Sequence, residues 1–247
     1  LEQRPVSKRA NGHLGRVIAS FGGGDKNDAI ARRDRFIDGH LEQLPDGAFV
    51  LNVGCGTVRR FEHSGRYLAT DLRVLPHVDF ASDAARLPIA DHSVDTVISL
   101  ELLEHVPRPS AVVDELARIL KPGGTVFVSV PSTVPRHDDH DYWRYTAEGL
   151  KQLCSPAFAS GEVKVFGGTF EALGYLASYY LALVLHVLRL PTRTFGRFFP
   201  SIGHWLDERN HWSTSTTALH TLAFDLLFVG TKEAAESPSG TTDRSAK

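Results

Sequence analysis

The chain of 247 residues is long enough for one large α/β domain, or for one domain carrying an insertion. Its charges nearly cancel, at a formal −2, so composition argues against a strongly basic nucleic-acid-binding face. Two cysteines, Cys55 and Cys154, cannot build a disulfide framework and point to a reducing compartment.

Residues 1–24 are polar and glycine-rich and end in Gly22-Gly23-Gly24, so a flexible arm is expected there. Arg4, Lys8 and Arg9, with no apolar run behind them, do not read as a secretory signal. From Asp28 to Leu44 the positions Ile30, Phe36, Ile37, Leu41 and Leu44 fall near helical spacing, and Pro45-Asp46-Gly47 reads as a turn. Strands are then expected at Phe49–Val53, Tyr67–Asp71, Val78–Ser82, Val94–Leu100 and Thr125–Val130. A helix is expected from Ser110 to Leu120, with Val112, Val113, Leu116 and Ile119 on one face and Pro122-Gly123-Gly124 as its stop. Beyond a polar, aromatic loop, Thr146–Cys154 reads as helix, Glu162–Phe166 as strand and Leu222–Gly230 as the last strand. Apolar strands alternating with helices predict a doubly wound, mostly parallel sheet with helices on both faces. The expected organisation is a main domain over 25–232, with a helical cap insertion at 168–220, followed by a disordered Ser/Thr/Gly/Ala-rich tail at 233–247.

The most informative stretch is the first strand and the turn it enters, Phe49-Val50-Leu51-Asn52-Val53-Gly54-Cys55-Gly56-Thr57. Glycines let a ligand approach backbone and tolerate positive φ. Asp71 ends the second strand, where a carboxylate accepts ribose hydroxyls. The pair describes a nucleoside-binding crevice at the carboxyl ends of parallel strands. The dinucleotide fingerprint needs a third glycine where this chain has Arg59, and a Walker loop needs a Gly-Lys-Ser/Thr that is absent.

These residues resemble the first motif of class I S-adenosylmethionine-dependent methyltransferases. The likeness continues through Asp83-Ala84-Ala85-Arg86-Leu87-Pro88 and the strand Val94–Ile98, through Glu101-Leu102-Leu103-Glu104-His105-Val106, and through Leu120-Lys121-Pro122-Gly123-Gly124. The Glu101–Val106 segment is similar to that of the ubiquinone-biosynthesis type. The resemblance implies a seven-stranded Rossmann-like sheet whose last strand is antiparallel, and S-adenosyl-L-methionine as cofactor. It implies that Gly54, Cys55 and Gly56 present backbone to the methionine and ribose, that Asp71 holds the ribose hydroxyls, that Asp83 and the Ala84 N–H meet the adenine, and that Leu72 and Leu100 line the cofactor. Two positions depart from the pattern. Asn52 stands where Asp or Glu is usual, which keeps an acceptor but loses the charge that meets the cofactor's ammonium. Val58 stands in place of a glycine and is followed by Arg59 and Arg60, one of which is a candidate for the cofactor carboxylate.

For proton removal His105 is the first candidate, since an imidazole accepts a proton near neutral pH; a structural histidine at a helix start is the alternative. Glu101 is a candidate for contact with cofactor or substrate. The loop His137-Asp138-Asp139-His140-Asp141 concentrates imidazoles and carboxylates, but its spacing matches no standard zinc pattern, and no metal is expected. Asp141-Tyr142-Trp143-Arg144-Tyr145-Thr146 resembles an element of methyltransferases encoded with saccharide-biosynthesis enzymes. His140, Tyr142, Trp143, Arg144 and Tyr145 are therefore candidate acceptor contacts, by stacking on a sugar or ring and by pairing with an anionic group. A packed aromatic corner is the other reading.

Ala172–Leu190 is apolar except for Ser178, His186 and Arg189. It reads as a buried cap helix over the site or as a membrane-surface helix serving a lipid-linked substrate, with a true span least favoured by its length. The expected function is methyl transfer to a small molecule or a lipid- or carrier-linked saccharide, first at oxygen, in the cytoplasm or at the inner face of the membrane. No nucleic-acid partner is expected, because Ser99-Leu100-Glu101-Leu102 stands where amino-methylases of nucleic acids carry Asn/Asp-Pro-Pro-Tyr/Phe. The alternative is a non-catalytic nucleoside-binding protein that kept the fold.

Overall fold

The computed structural model describes residues 29–57, 60, 61, 63, 65–187, 202, 204–207 and 223–234. The expected arm at 1–24, nearly all of the tail at 233–247 and most of 188–220, with Arg189, Arg193 and Arg197, lie outside them.

Helix α1 (Ala29–Leu41) leads into β1 (Phe49–Val53), β2 (Arg66–Asp71), β3 (Phe80–Ala81) and β4 (Val94–Leu100). A single 3-10 turn (Leu103–His105) precedes α2 (Pro109–Ile119), which runs directly into β5 (Leu120–Pro131). Then come α3 (Ala147–Cys154), β6 (Ser160–Phe166), α4 (Thr169–Val187) and β7 (Asp225–Thr231).

The seven strands form one sheet in the order β3-β2-β1-β4-β5-β7-β6. β1 is parallel to β2 and β4, β2 to β3, and β4 to β5, whereas β7 is antiparallel to both β5 and β6. Strand order reverses between β1 and β4, the switch point at which open α/β sheets bind ligands beyond the carboxyl ends of their strands.

Both faces of the central strands are covered, which is why β1 is buried at every position. Phe49, Leu51 and Val53 pack with Val112, Val113 and Leu116 of α2 and Leu150 and Cys154 of α3. Val50, Ile98, Phe127 and Leu227 pack on the other face with Ile37 and Leu41 of α1. The architecture is the doubly wound, mostly parallel sheet that alternating elements predict.

Bounds differ from expectation where backbone pairing outlasts the side-chain pattern. The Pro122-Gly123-Gly124 segment does not separate α2 from a later strand. Leu120 is already extended, and Gly123 N donates to Lys232 O at 3.0 Å while Lys232 N donates to Gly124 O at 3.1 Å, so the ladder with the chain after β7 absorbs the turn. The third strand contracts to Phe80–Ala81 because only Thr70 and Asp71 pair with it.

Helix α4 begins in the expected cap region. Asp207 caps it, accepting from Phe170 N at 3.2 Å and Glu171 N at 2.9 Å. Glu171 in turn accepts from Ala29 N at 3.0 Å and from Arg32 Nη2 at 2.7 Å, tying α4 to the start of α1. No helix among the described residues is long and apolar enough to cross a membrane.

Candidate functional site

The carboxyl edge of β1, β2 and β4 opens into a cavity of about 800 Å3. The turn after β1 forms its floor. Gly54 N and Cys55 N both donate to Thr70 O, at 2.8 and 3.1 Å, which folds the turn against the end of β2. Gly54 has φ +72°, and a Cβ there would stand 2.8 Å from Leu102 Cδ1, so the position has neither the backbone freedom nor the space for a side chain. Gly56, at φ +67°, donates its N–H to Asp71 Oδ2 at 3.0 Å.

All the residues singled out for the cofactor line this cavity: Asn52, Gly54, Cys55 and Gly56 from the β1 turn, Asp71 and Leu72 from the end of β2, and Asp83, Ala84 and Leu100 from the β3 and β4 ends. Glu101, His105 and His140 line it too. Asn52 is buried and donates through Nδ2 to Tyr67 Oη at 3.0 Å. Asp83 Oδ1 accepts from Ala85 N at 2.9 Å, which fixes the turn beneath Ala84. Arg60 also reaches the lining and donates to Asp34 Oδ2 at 3.3 Å; Arg59 lies outside the described residues.

Asp71 is already engaged. Its Oδ1 accepts from Arg73 N and Nε, each at 2.9 Å, and its Oδ2 accepts from Arg73 Nη2 at 3.3 Å. Burial alone would raise this carboxyl; the hydrogen bonds from Arg73 and Gly56 outweigh it and hold the group below the usual carboxylate range.

Past β4 the chain turns sharply. Glu101 has φ +51°, which an L side chain rarely adopts, and its N–H donates to Ser129 O at 3.1 Å. Its Oε1 accepts from Ser129 Oγ at 2.9 Å and from Arg33 Nη1 at 3.2 Å. Arg33 is fully buried and also donates to Asp225 Oδ2 at 2.8 Å and to Asp34 Oδ1. One guanidinium thus serves Asp34, Glu101 and Asp225. Asp225 is raised well above the usual carboxylate range, by burial first and by the Glu101 charge second.

Glu104 and His105 sit on the 3-10 turn at the cavity wall. His105 Nδ1 lies 2.6 Å from the His140 carbonyl, which can only accept, so this nitrogen carries a proton and, in the neutral ring, Nε2 is the acceptor. Glu104 is fully buried, neither of its carboxylate oxygens has a hydrogen-bond partner, and Oε1 lies 3.6 Å from His105 Nε2. Burial first, and the Glu101 charge second, push its carboxyl up to about 9.

The loop after β5 divides its residues. His137, Asp138 and His140 reach the cavity lining, while Tyr142, Trp143, Arg144 and Tyr145 do not. Trp143 Nε1 donates to Val106 O at 2.9 Å, and Tyr142 N donates to Glu104 O at 2.8 Å, bracing the segment after β4. Arg144 pairs with Asp141 and donates to the Val134 and Pro135 carbonyls. Tyr145 turns its hydroxyl inward. The Tyr142 ring, half-exposed, stacks on His140 with centroids 6.0 Å apart. Among the described residues none from α4 lines the cavity; burial, then Tyr179 and then the Glu101 charge push the Tyr175 phenol up to about 12.

Sequence reasoning did not single out Arg33, Arg73 or Asp225, and it gave Glu104, within the Glu101–Val106 motif, no role of its own. Arg33 left one legible sign: it lies on the buried stripe Ala29-Arg33-Ile37-Leu41, in a place otherwise filled by apolar residues.

Residues 51–128 match the family model described as "Methyltransferase domain". The chain is 32% identical over 122 residues to a ubiquinone biosynthesis O-methyltransferase of Neisseria meningitidis, an alignment covering 41% of this chain and 50% of that protein. It is 32% identical over 164 residues to a 2-methyl-6-phytyl-1,4-hydroquinone methyltransferase of Synechocystis, covering 55% of this chain and 49% of the relative. The chain thus spans about half the length of the curated relatives it matches. In fold it is similar to phosphoethanolamine N-methyltransferase 2 of Haemonchus contortus bound to S-adenosyl-L-methionine (TM-score 0.56, 14% identity, 91% of this chain and 58% of that one). It is also similar to the [4+2]-cyclase SpnF (TM-score 0.55, 17% identity, 90% and 93%).

Proposed function

We propose that this chain, a class I S-adenosylmethionine-dependent methyltransferase, moves the cofactor's methyl group to a hydroxyl oxygen of a small-molecule acceptor. The observation that carries the reading is the cavity at the β1/β4 switch point, where the Gly54–Gly56 turn, Asp71 and Asp83 come together within the matched segment.

S-adenosylmethionine brings its own electrophile, a methyl group on a sulfonium; the protein supplies binding, alignment and a route for the acceptor's proton. The tight turn at Gly54 and Gly56 presents backbone, Asp71 offers a carboxylate to the ribose, and Asp83 with the Ala84 N–H faces the adenine. His105, protonated on Nδ1, offers Nε2 as acceptor for the hydroxyl proton. The oxygen lone pair then forms the O–CH3 bond as the S–CH3 bond breaks, its electrons returning to sulfur.

The names of the relatives favour a quinol-type acceptor. The stacked His140–Tyr142 pair, of which His140 lines the cavity, suits a flat ring and also the face of a pyranose, so a lipid- or carrier-linked saccharide is the second reading. A lipid-linked acceptor further suits the exposed Leu173, Tyr180 and Val184 of α4 as a membrane-surface contact, on a protein working in the cytoplasm.

Calorimetric titration with S-adenosylmethionine, followed by transfer of labelled methyl to quinol and glycolipid acceptors, tests the reading. Absence of binding removes it. Binding without transfer to any hydroxylated acceptor favours the non-catalytic alternative.

A further inference from the structure

We infer that Glu104, His105 and His137 form a binding site for one divalent transition-metal ion at the wall of the cofactor cavity. The binding claim stands apart from the methyl-transfer reading; only its catalytic consequence rests on that reading.

The ligand atoms of these residues all lie within 4.8 Å of one another. The His105 and His137 rings meet edge to face with centroids 5.1 Å apart. One carboxylate with two imidazoles is the donor set that suits zinc, iron, cobalt or nickel rather than magnesium or calcium, which prefer oxygen throughout. Metal–ligand bonds of about 2.0–2.2 Å hold neighbouring donors roughly 3 Å apart, so filling the site draws the groups inward. His137 is the piece able to move, because its loop is largely exposed whereas Glu104 is fixed in the interior.

Two further observations point to a cation. Glu104 is fully buried with both oxygens unpartnered, an arrangement that costs stability unless a ligand satisfies it. Both imidazoles also have the outer support that metal-bound histidines show. His105 Nδ1 is held by the His140 carbonyl at 2.6 Å, and His137 Nδ1 faces Asp141 Oδ2 at 3.4 Å. Asp141 is itself clamped by Arg144. Such contacts fix ring orientation and leave the opposite nitrogen for the ion. The spacing within 137–141 argues against a metal, but this site takes only one ligand from that loop and two from the end of β4, a combination sequence spacing does not reveal.

The consequence for methyl transfer is direct. His105 Nε2 would bind the ion instead of taking a proton. An acceptor hydroxyl on the ion's open position would lose its proton to water more readily, and the resulting oxygen would attack the sulfonium methyl as above.

The test uses the full chain freed of metal with a chelator, titrated with Zn2+ and Co2+ alone. Wild-type protein should take up one equivalent, with Co2+ giving visible absorption of a protein-bound ion. His137→Ala, on an exposed loop, and Glu104→Gln should each weaken uptake by roughly tenfold or more. If Glu104→Gln does not fold, Glu104→Asp takes its place, because its shorter side chain should also lower affinity. Failure of the wild type to bind overturns the proposal. So does uptake unchanged in both variants, or uptake lost in His137→Ala and retained in the Glu104 variant, which would mark a histidine-only adventitious ion. Metal uptake is read without cofactor or acceptor, so failure of methyl transfer alone leaves this result standing.

Discussion

Arg73 clasps both oxygens of Asp71, the carboxylate proposed to receive the cofactor's ribose. With Gly56 N on Oδ2 as well, the group has little acceptor capacity left, so ribose binding must displace the guanidinium. The guanidinium can swing into solvent, since the Arg73 side chain is 61% exposed, and the ribose hydroxyls take its place on the buried carboxylate. Asp71→Ala should weaken S-adenosylmethionine binding by ~1–3 kcal/mol, the scale of a lost charged acceptor. Arg73→Ala should leave affinity unchanged or modestly higher. Calorimetry on both folded variants checks this; a large loss in Arg73→Ala would mean the arginine binds the cofactor and does not compete with it.

His105→Ala should lower turnover by roughly 10²–10⁴-fold, the usual range for a lost proton acceptor, whether Nε2 takes the hydroxyl proton itself or holds the ion that lets it go, with cofactor affinity nearly intact. The histidine lines the cavity but is held by the His140 carbonyl, apart from the glycine turn and Asp71. Single-turnover rates with a working acceptor, set beside cofactor titration, make the comparison. A loss of only a few-fold would assign His105 a structural role.

Asp225 should make the protein less stable as pH rises. Burial and the Glu101 charge raise its carboxyl, so the folded chain keeps a proton that the unfolded chain releases above its ordinary value of about 3.9. The stabilisation is therefore full below that value and lost as pH climbs through the folded value, at up to about 1.4 kcal/mol per pH unit. Asp225→Asn mimics the protonated form and should flatten this slope, gaining on the wild type in thermal melts as pH rises above the ordinary carboxylate range. Arg33→Met removes the buried cation that Asp34, Glu101 and Asp225 share and should cost ~3–5 kcal/mol. Parallel melting curves for wild type and Asp225→Asn would refute the proton assignment.

What the sequence revealed follows from which forces are local. β1, β2 and β4 were legible because apolar runs ending in Gly54 and Asp71 carry their own signal, and strand-end residues go where the strands end. The cavity inherits that legibility. The role of Arg33 was not legible beyond its place on the α1 stripe, because a helical arginine reads as solvated until Glu101 and Asp225 are known to sit opposite it. Nor was the division of the 137–145 loop. Trp143 and Arg144 bind backbone carbonyls of Val106 and Val134, and no residue pattern announces such partners before the fold exists.

Leu173, Tyr180 and Val184 are exposed on α4, at separations that bring them to one side of the helix. The same helix is anchored to α1 through Glu171, which accepts from Arg32 Nη2 and Ala29 N, so a surface held against lipid by that side would stay tied to the sheet's α1 face. If the acceptor is lipid-linked, the protein should float with liposomes and leave them on alkaline extraction, because no described helix is long and apolar enough to span. Replacing Leu173, Tyr180 and Val184 together by Ser should abolish flotation and lower turnover on the lipid-linked acceptor, with a water-soluble analogue methylated at the original rate. Flotation that survives the triple replacement removes α4 from the contact, and resistance to alkaline extraction would place a spanning segment outside the described residues.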